Sequence, residues 1–370
     1  MHQIMKFHRW NARFLVLPFI VFFAGCTTHF GEGTVRTARF DYNEAIIRSW
    51  NEQLLLNLVR LRYRDNPLFL DMGTVVTHYE ISGALGTNDA VTVPPKSSAG
   101  YSVGLSAGVG YLESPTISYL PLQGEDFANR LLSPLSPSTL LLLSRSGWSL
   151  ERLFLCGVQR MNGLGNATSA TGPTPDLAPT YQSFHHAAEL FRQLQVDGAI
   201  EADMDKDGET ILLYMTRGIT PRSDSAITAL QELLQLDPNA SPYKVKAMTR
   251  RTQGDEIALT GRSLMATLFF LSQAVEPPVA HEHGGLVTVT QQADGARFDW
   301  ANVTGRLLRI RSSATVPENP AVSVYYRDTW FYISDSDLNS KSTFNLLTYL
   351  FNLKAGSKAG HEPLLTYPVR

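Results

Sequence analysis

An α+β fold, with helices packed on mostly antiparallel sheets, is predicted by three features of the 370-residue chain. Apolar residues recur at helical spacing in several long stretches. Runs of alternating pattern lie close enough in sequence to pair locally. No fixed-period repeat and no strict strand–helix alternation runs through the chain, which argues against a solenoid and against a doubly wound parallel sheet. A hydrophobic content of 44% with 18% charged residues describes a globular protein.

The first element is an address. Residues 1–13 are basic, and 14–24 form an uninterrupted apolar run, Phe-Leu-Val-Leu-Pro-Phe-Ile-Val-Phe-Phe-Ala. A membrane-crossing helix needs roughly 20 apolar residues, whereas the apolar region of a signal peptide needs about 7–15. The run closes on Phe23-Ala24-Gly25-Cys26, which resembles the lipobox of bacterial lipoproteins. Small residues there let the peptidase hold the chain extended beside the diacylglycerol thioether on the cysteine. Ala24 and Gly25 fit this pattern, and Phe23 departs from the usual leucine. The expectation is a signal peptide over 1–25, lipidation of Cys26 with added palmitate, and an anchor in a membrane. Thr27, rather than an aspartate, follows the cysteine, and the family's sorting rule then implies the inner leaflet of the outer membrane with the body in the periplasm.

Residues 26–40 are expected to form a tether. A helix is predicted from Asp41, with Asp41 and Glu44 as a capping box. Ile46, Ile47, Trp50, Leu54, Leu58 and Leu61 form its apolar stripe, and Asn66-Pro67 ends it. Arg60, Arg62 and Arg64 then complement the helix dipole. Alternation takes over at 72–120. Between Tyr101 and Tyr111 every odd position is apolar or aromatic and every even one is Ser or Gly, the pattern of a strand with one nearly bare face. Residues 74–81 are expected to pair with it across a loop at 88–98. Helices follow around 124–132 and 137–161, completing an N-terminal α+β region over 41–162. The Gly-, Thr- and Pro-rich stretch 163–180 reads as a linker or long loop.

A C-terminal α+β region is expected over 181–370. Helices are predicted at 181–196, 223–236, 257–275 and 336–353. Strands are predicted at 211–216, 286–291, 307–311, 322–326 and 330–334, with Arg327-Asp328-Thr329 as a hairpin turn.

Three segments, Asp41-Tyr-Asn-Glu-Ala-Ile, 49–65 (Ser-Trp-Asn-Glu-Gln-Leu-Leu-Leu-Asn-Leu-Val-Arg-Leu-Arg-Tyr-Arg-Asp) and 340–347 (Ser-Lys-Ser-Thr-Phe-Asn-Leu-Leu), resemble a family of bacterial membrane-anchored lipoproteins. The resemblance implies the envelope address and carries no activity with it.

The motifs that carry chemistry are sparse. Asp203, Asp205 and Asp207 with Gly208 open like a calcium loop, but position twelve is Tyr214 rather than the bidentate glutamate. The segment reads first as an acidic hairpin turn and second as a weak calcium candidate. His281-Glu-His283 and His185-His186 lack the spacing that puts two imidazoles on one helix face. Ser241-Pro-Tyr-Lys244 has a Ser-x-x-Lys spacing without the companion motifs of penicillin-binding enzymes. Cys156, in an apolar helical stretch, reads as a small core residue. No cofactor or catalytic residue is expected. Removing a leader that carries Lys6, Arg9 and Arg13 and no acid takes the formal charge from −2 to −5, so nucleic-acid binding has no electrostatic footprint.

The leading expectation is a non-enzymatic envelope protein acting through protein contacts or self-association, as an accessory or scaffold subunit. One alternative is an oligomeric outer-membrane export component using 72–112 as a β-hairpin, since 101–111 has the length and aromatic ends of a membrane strand. Another is a periplasmic hydrolase whose site is assembled from distant residues.

Overall fold

The computed structural model describes residues 32–92, 100–206, 208 and 210–355, with backbone alone for 32–39, 41, 71–120 and 355. The expected signal peptide, Cys26, Asp207 and the C-terminal tail lie outside these residues. The fold is α+β. The described residues form a two-stranded, a three-stranded and a six-stranded sheet, with helices packed beside them.

Helix α1 spans Glu32–Arg62. It begins nine residues before Asp41, so the expected capping box lies inside the helix and part of the expected tether is helical. The 32–40 segment contains no proline, and its single Gly33 weakens a helix without ending it. The predicted stop holds. Arg64 takes a left-handed conformation (φ 60°), the Asp65 amide donates to the Arg60 carbonyl and the Arg64 amide to that of Leu61, a Schellman ending. Leu54, Leu55, Leu58, Val59 and Leu61 are buried in the central core.

Strands β1 (Leu70–Thr92) and β2 (Gly100–Pro121) pair antiparallel along their whole length, with one register shift between Met72 and Val75. The expected partner of 101–111 is corrected. Those residues pair with 91–81, and residues 75–81 pair with 117–111. Residues 88–92, expected in the loop, belong to β1.

Helices α2 (Glu125–Leu132), α3 (Pro137–Arg145) and α4 (Leu150–Gly157) follow, then β3 (Val158–Met161). The single helix expected over 137–161 is thus two helices and a strand. Gly147 (φ 92°) breaks it, and Ser149 caps the second helix by accepting from the Arg152 amide. The stretch 163–180 holds β4 (Leu164–Gly165) and a 3₁₀ turn, Thr168–Thr171. Elements on both sides of it share one sheet.

That sheet has the order β4-β3-β8-β7-β6-β5, where β5 is Ile200–Met204, β6 Ile211–Met215, β7 Tyr243–Ala247 and β8 Glu256–Gly261. Only β7 and β8 run parallel. Helices α5 (Gln182–Val196) and α6 (Pro221–Leu234) connect and cover it. The long helix predicted at 257–275 is β8 followed by α7 (Leu264–Ser272). A strand buried on both faces reads as a continuous apolar run, which periodicity cannot tell from a buried helix. Gly261 is required here, because a Cβ on it would lie 2.0 Å from the Leu135 carbonyl oxygen.

The remainder carries short helices α8 (Val279–His283) and α9 (Ala301–Thr304), then β9 (Arg311–Ser313), β10 (Pro320–Tyr326), β11 (Thr329–Ser334) and α10 (Leu338–Ala355). Residues 286–291 are turn and coil rather than strand; Gln291 forms bridges with Leu177 and Arg297. Leu307, Leu308 and Ile310 are buried in a turn, and only Arg311 of the expected 307–311 strand is in β9. The β10–β11 turn is the two-residue Arg327-Asp328, both at positive φ as a type I′ turn needs, with Thr329 already in the strand.

Candidate membrane hairpin and its anchorage

The 23-residue β1 and 22-residue β2 would extend about 70 Å at ~3.3 Å per residue. Among the described residues no third strand joins them. A two-stranded ribbon is marginal in water, and each of its outer edges carries a row of backbone donors and acceptors without a ladder partner.

Register and pleat divide the ribbon into two faces. Positions 101, 103, 105, 107, 109 and 111 lie opposite 91, 89, 87, 85, 83 and 81. One face therefore carries Tyr, Val, Leu, Ala, Val and Tyr from β2, and Val, Asp, Thr, Leu, Gly and Ile from β1. The other face, 100–110 and 92–82 at even positions, holds only Gly, Ser, Ala, Thr and Asn. The ten steps from Tyr101 to Tyr111 cover roughly 25 Å at the ~40° tilt of barrel strands, the height of an outer-membrane apolar band. Asp71, His78, Glu80 and Glu113 fall between this band and the body.

The base of the ribbon is clamped. Asn57 of α1 donates its amide to the Leu68 carbonyl (2.7 Å) and accepts from the Leu68 amide (2.9 Å), mimicking one rung of a β-ladder. Gln53 donates to the same carbonyl at 3.1 Å. The Leu122 amide closes the base on the Phe69 carbonyl (3.0 Å). Phe69 packs against Phe127 and Phe351, and Trp50 meets Phe351 edge-on at 5.0 Å. Leu68 thus sits level with Gln53 and Asn57, and Leu70 lines a small cleft with Trp50, Gln53, Leu54 and Asn57. The chain reverses after α1 and leaves the body heading back toward that helix's N-terminal end.

The reversal is held by a polar cluster. Arg62 is buried, with Nη1 donating to Thr174 Oγ1 and the Thr288 carbonyl, both at 3.1 Å. Burial lowers its pKa to about 10 against the opposing pull of Glu282. Arg64 donates to the Thr174 carbonyl. These arginines were expected only to complement the dipole; they also staple the turn to the 163–180 stretch. The Tyr63 hydroxyl lies 2.7 Å from His281 Nδ1, and burial pushes Tyr63 up to about 12. Asp65 accepts from Tyr326 and, at 2.9 Å, from Arg327. Partial burial opposes ionisation of Asp65, yet these two donors outweigh it and its pKa falls.

The other sequence candidates do not converge. Asp203 pairs with Arg145 (2.6 Å), and Asp205 accepts from the neighbouring Lys206 amide. Among the described residues no three His, Cys, Asp or Glu side chains are placed to hold a metal. His281 and His283 sit on α8, and Glu282 pairs with Arg297. His185 and His186 lie on α5. His185 is buried, its Nε2 has no partner, and burial lowers its pKa to about 4. Lys244 pairs with Asp255 at 2.9 Å. Cys156 is buried, and burial pushes its thiol up to about 12.

Among the described residues no helix is long and apolar enough to cross a membrane. Comparison with protein-family models, curated proteins and solved structures found no match. The fold and site therefore define a class only in architectural terms: an α+β body bearing one long, unpartnered β-hairpin.

Proposed function

We propose that this is a lipid-anchored envelope protein that assembles with copies of itself, neighbouring hairpins pairing edge to edge into a β-barrel across the outer membrane. The carrying observation is the two-stranded sheet whose length and two-faced pattern suit a membrane band and whose edges want partners. Closure into a barrel removes such edges altogether. The reversal after α1 supports the same reading. It aims the hairpin toward the N-terminal end of α1, the side on which a lipid at Cys26 would anchor the chain. Acting through contacts between copies keeps the expected scaffold role within this reading. No observation favours the hydrolase alternative.

The test is the mass of the native, detergent-extracted protein, compared with a variant in which residues 76–116 are replaced by an Asn-Gly turn. A ring-sized homo-oligomer that becomes monomeric in the variant, with the body's near-UV dichroism retained, supports the proposal. A wild-type monomer in detergent and in lipid nanodiscs overturns it.

A further inference from the structure

A second feature lies within the body. A cavity of about 280 Å³ opens between the six-stranded sheet and helices α3, α4 and α5. Protein interiors leave few voids larger than a water, and an unfilled space costs stability in proportion to its volume. A cavity this size that persists in an otherwise close-packed core suits a ligand. Its floor crosses five neighbouring strands: Ile200 and Ala202 on β5, Leu213 on β6, Val245 on β7, Leu259 on β8 and Met161 on β3.

Shape narrows the occupant. From β5 to β3 is four strand spacings, roughly 19 Å at ~4.8 Å each. A volume of about 280 Å³ spread over that length makes a long slot rather than a round chamber. Such a slot suits one extended hydrocarbon chain better than a compact ring system. Since a dry cavity of roughly 150 Å³ holds benzene, this one suits about ten to twelve carbons.

Polarity sets the direction. Toward β8, Leu259 is only 3% exposed, whereas Glu201 on β5 and Arg145 at the end of α3 are exposed at the other end. Arg145 is fixed there by Asp203 and by the Ala202 carbonyl at 2.9 Å. From this gradient we propose that the body binds a single medium-length acyl chain, its tail toward β8 and its polar head at the Arg145–Glu201 rim. The site is separate from the hairpin and does not depend on barrel formation.

The test uses the full chain transferred from detergent into amphipol and titrated calorimetrically with saturated fatty acids of six to sixteen carbons. The expected result is one saturable site per chain. Affinity should rise roughly fourfold per methylene, as ~0.8 kcal/mol per buried methylene implies, and level off near ten to twelve carbons. Leu213→Phe fills the tunnel and Ala202→Trp plugs its half-exposed mouth; each should weaken binding at least tenfold, and the second keeps the test valid if the first misfolds. Decanoyl lysophosphatidylcholine binding as tightly as decanoate would assign the chain to membrane lipid, and binding of the free acid alone to a free fatty acid. Absence of saturable binding at every length, or equal binding by wild type and both variants, would overturn the proposal.

Discussion

The body and the hairpin solve the edge problem of β-structure differently. In the body, β5 is a five-residue edge strand and β4 a two-residue one, so little unpaired ladder is left, and helices cover the sheet. Its buried polar groups are mostly satisfied from within. Arg262, fully buried, donates to the carbonyls of Leu155, Cys156 and Asn166 and lies over the Phe270 ring at 3.8 Å. The hairpin has no such cover. Its two edges run for more than twenty residues each, and over 82–92 and 100–110 one of its faces carries almost no bulk. Among the described residues the body's sheet is therefore nearly closed off while the hairpin's edges are not, and on the proposed function stability and assembly should be separable by mutation.

The largest effect is expected where that separation is most direct. Position 105 lies at the middle of the apolar face, and position 106 on the small-residue face. In the proposed barrel, Leu105→Arg would place a charge at the membrane midplane at a cost of about 2–4 kcal/mol in every subunit, a penalty that multiplies around a ring. Ser106→Arg carries the same charge on the opposite face and should be far better tolerated. The oligomer recovered from membranes should vanish in the first and persist in the second, while the body's melting temperature stays unchanged in both. Equal loss in both would break the two-faced reading of the hairpin.

Arg262→Ala addresses the other side of the comparison. It removes a donor from three backbone carbonyls, of which only that of Leu155 keeps a second one, from Asn166, and each buried acceptor left unpaired costs about 1–3 kcal/mol. The body's chemical-denaturation midpoint should fall accordingly. Whatever fraction remains folded should still assemble, because nothing in the hairpin is touched.

Legibility followed the same division. Helix α5 and the β10–β11 hairpin could be read because each shows a clean period ended by Asp197-Gly198 or by a turn. The 101–111 strand was plain for the same reason, but the full reach of β1 and β2 was not. His78, Glu80 and Glu113 interrupt the alternation just outside the band, and a ribbon of this length is an unusual thing to expect. Strand β8 was hidden by its burial on both faces. The Asn57 clamp and the acyl-sized cavity were beyond reach. Each is made by residues far apart in sequence, and Asn57 sits among leucines with nothing local to mark it as a hydrogen-bonding partner for Leu68.

Acid should act on the body before the hairpin. His185 has its pKa lowered to about 4 from 6.5, chiefly by burial, with Arg306 adding to the effect and Glu189 opposing it. The unfolded chain thus binds a proton that the folded chain resists. The stabilisation is complete above the unfolded value and is lost as pH falls toward 4, on the order of 3 kcal/mol in all. His185→Gln should flatten the stability profile between pH 6.5 and 4. An unchanged slope would assign that acid sensitivity to other groups.

The smallest effect concerns the joint between the two regions. Asn57 satisfies both backbone groups of Leu68, where the chain leaves α1 for the hairpin. Asn57→Ala would leave the part-buried Leu68 amide without its acceptor and the carbonyl with Gln53 alone, at a cost of about 1–3 kcal/mol. Because the clamp belongs to the body's helix and holds the hairpin's root, this loss should appear in both assays. The melting temperature should drop by a few degrees, and hydrogen exchange at Leu68 and Phe69 should quicken. Assembly should also weaken, since a ribbon aimed less firmly must be ordered when it pairs. Asp65→Asn offers the sharper control. It disturbs the Tyr326 and Arg327 contacts on the same turn but leaves the Leu68 rung intact. If both variants lose assembly equally, the whole turn aims the hairpin; if only Asn57→Ala does, the single rung at Leu68 sets its direction.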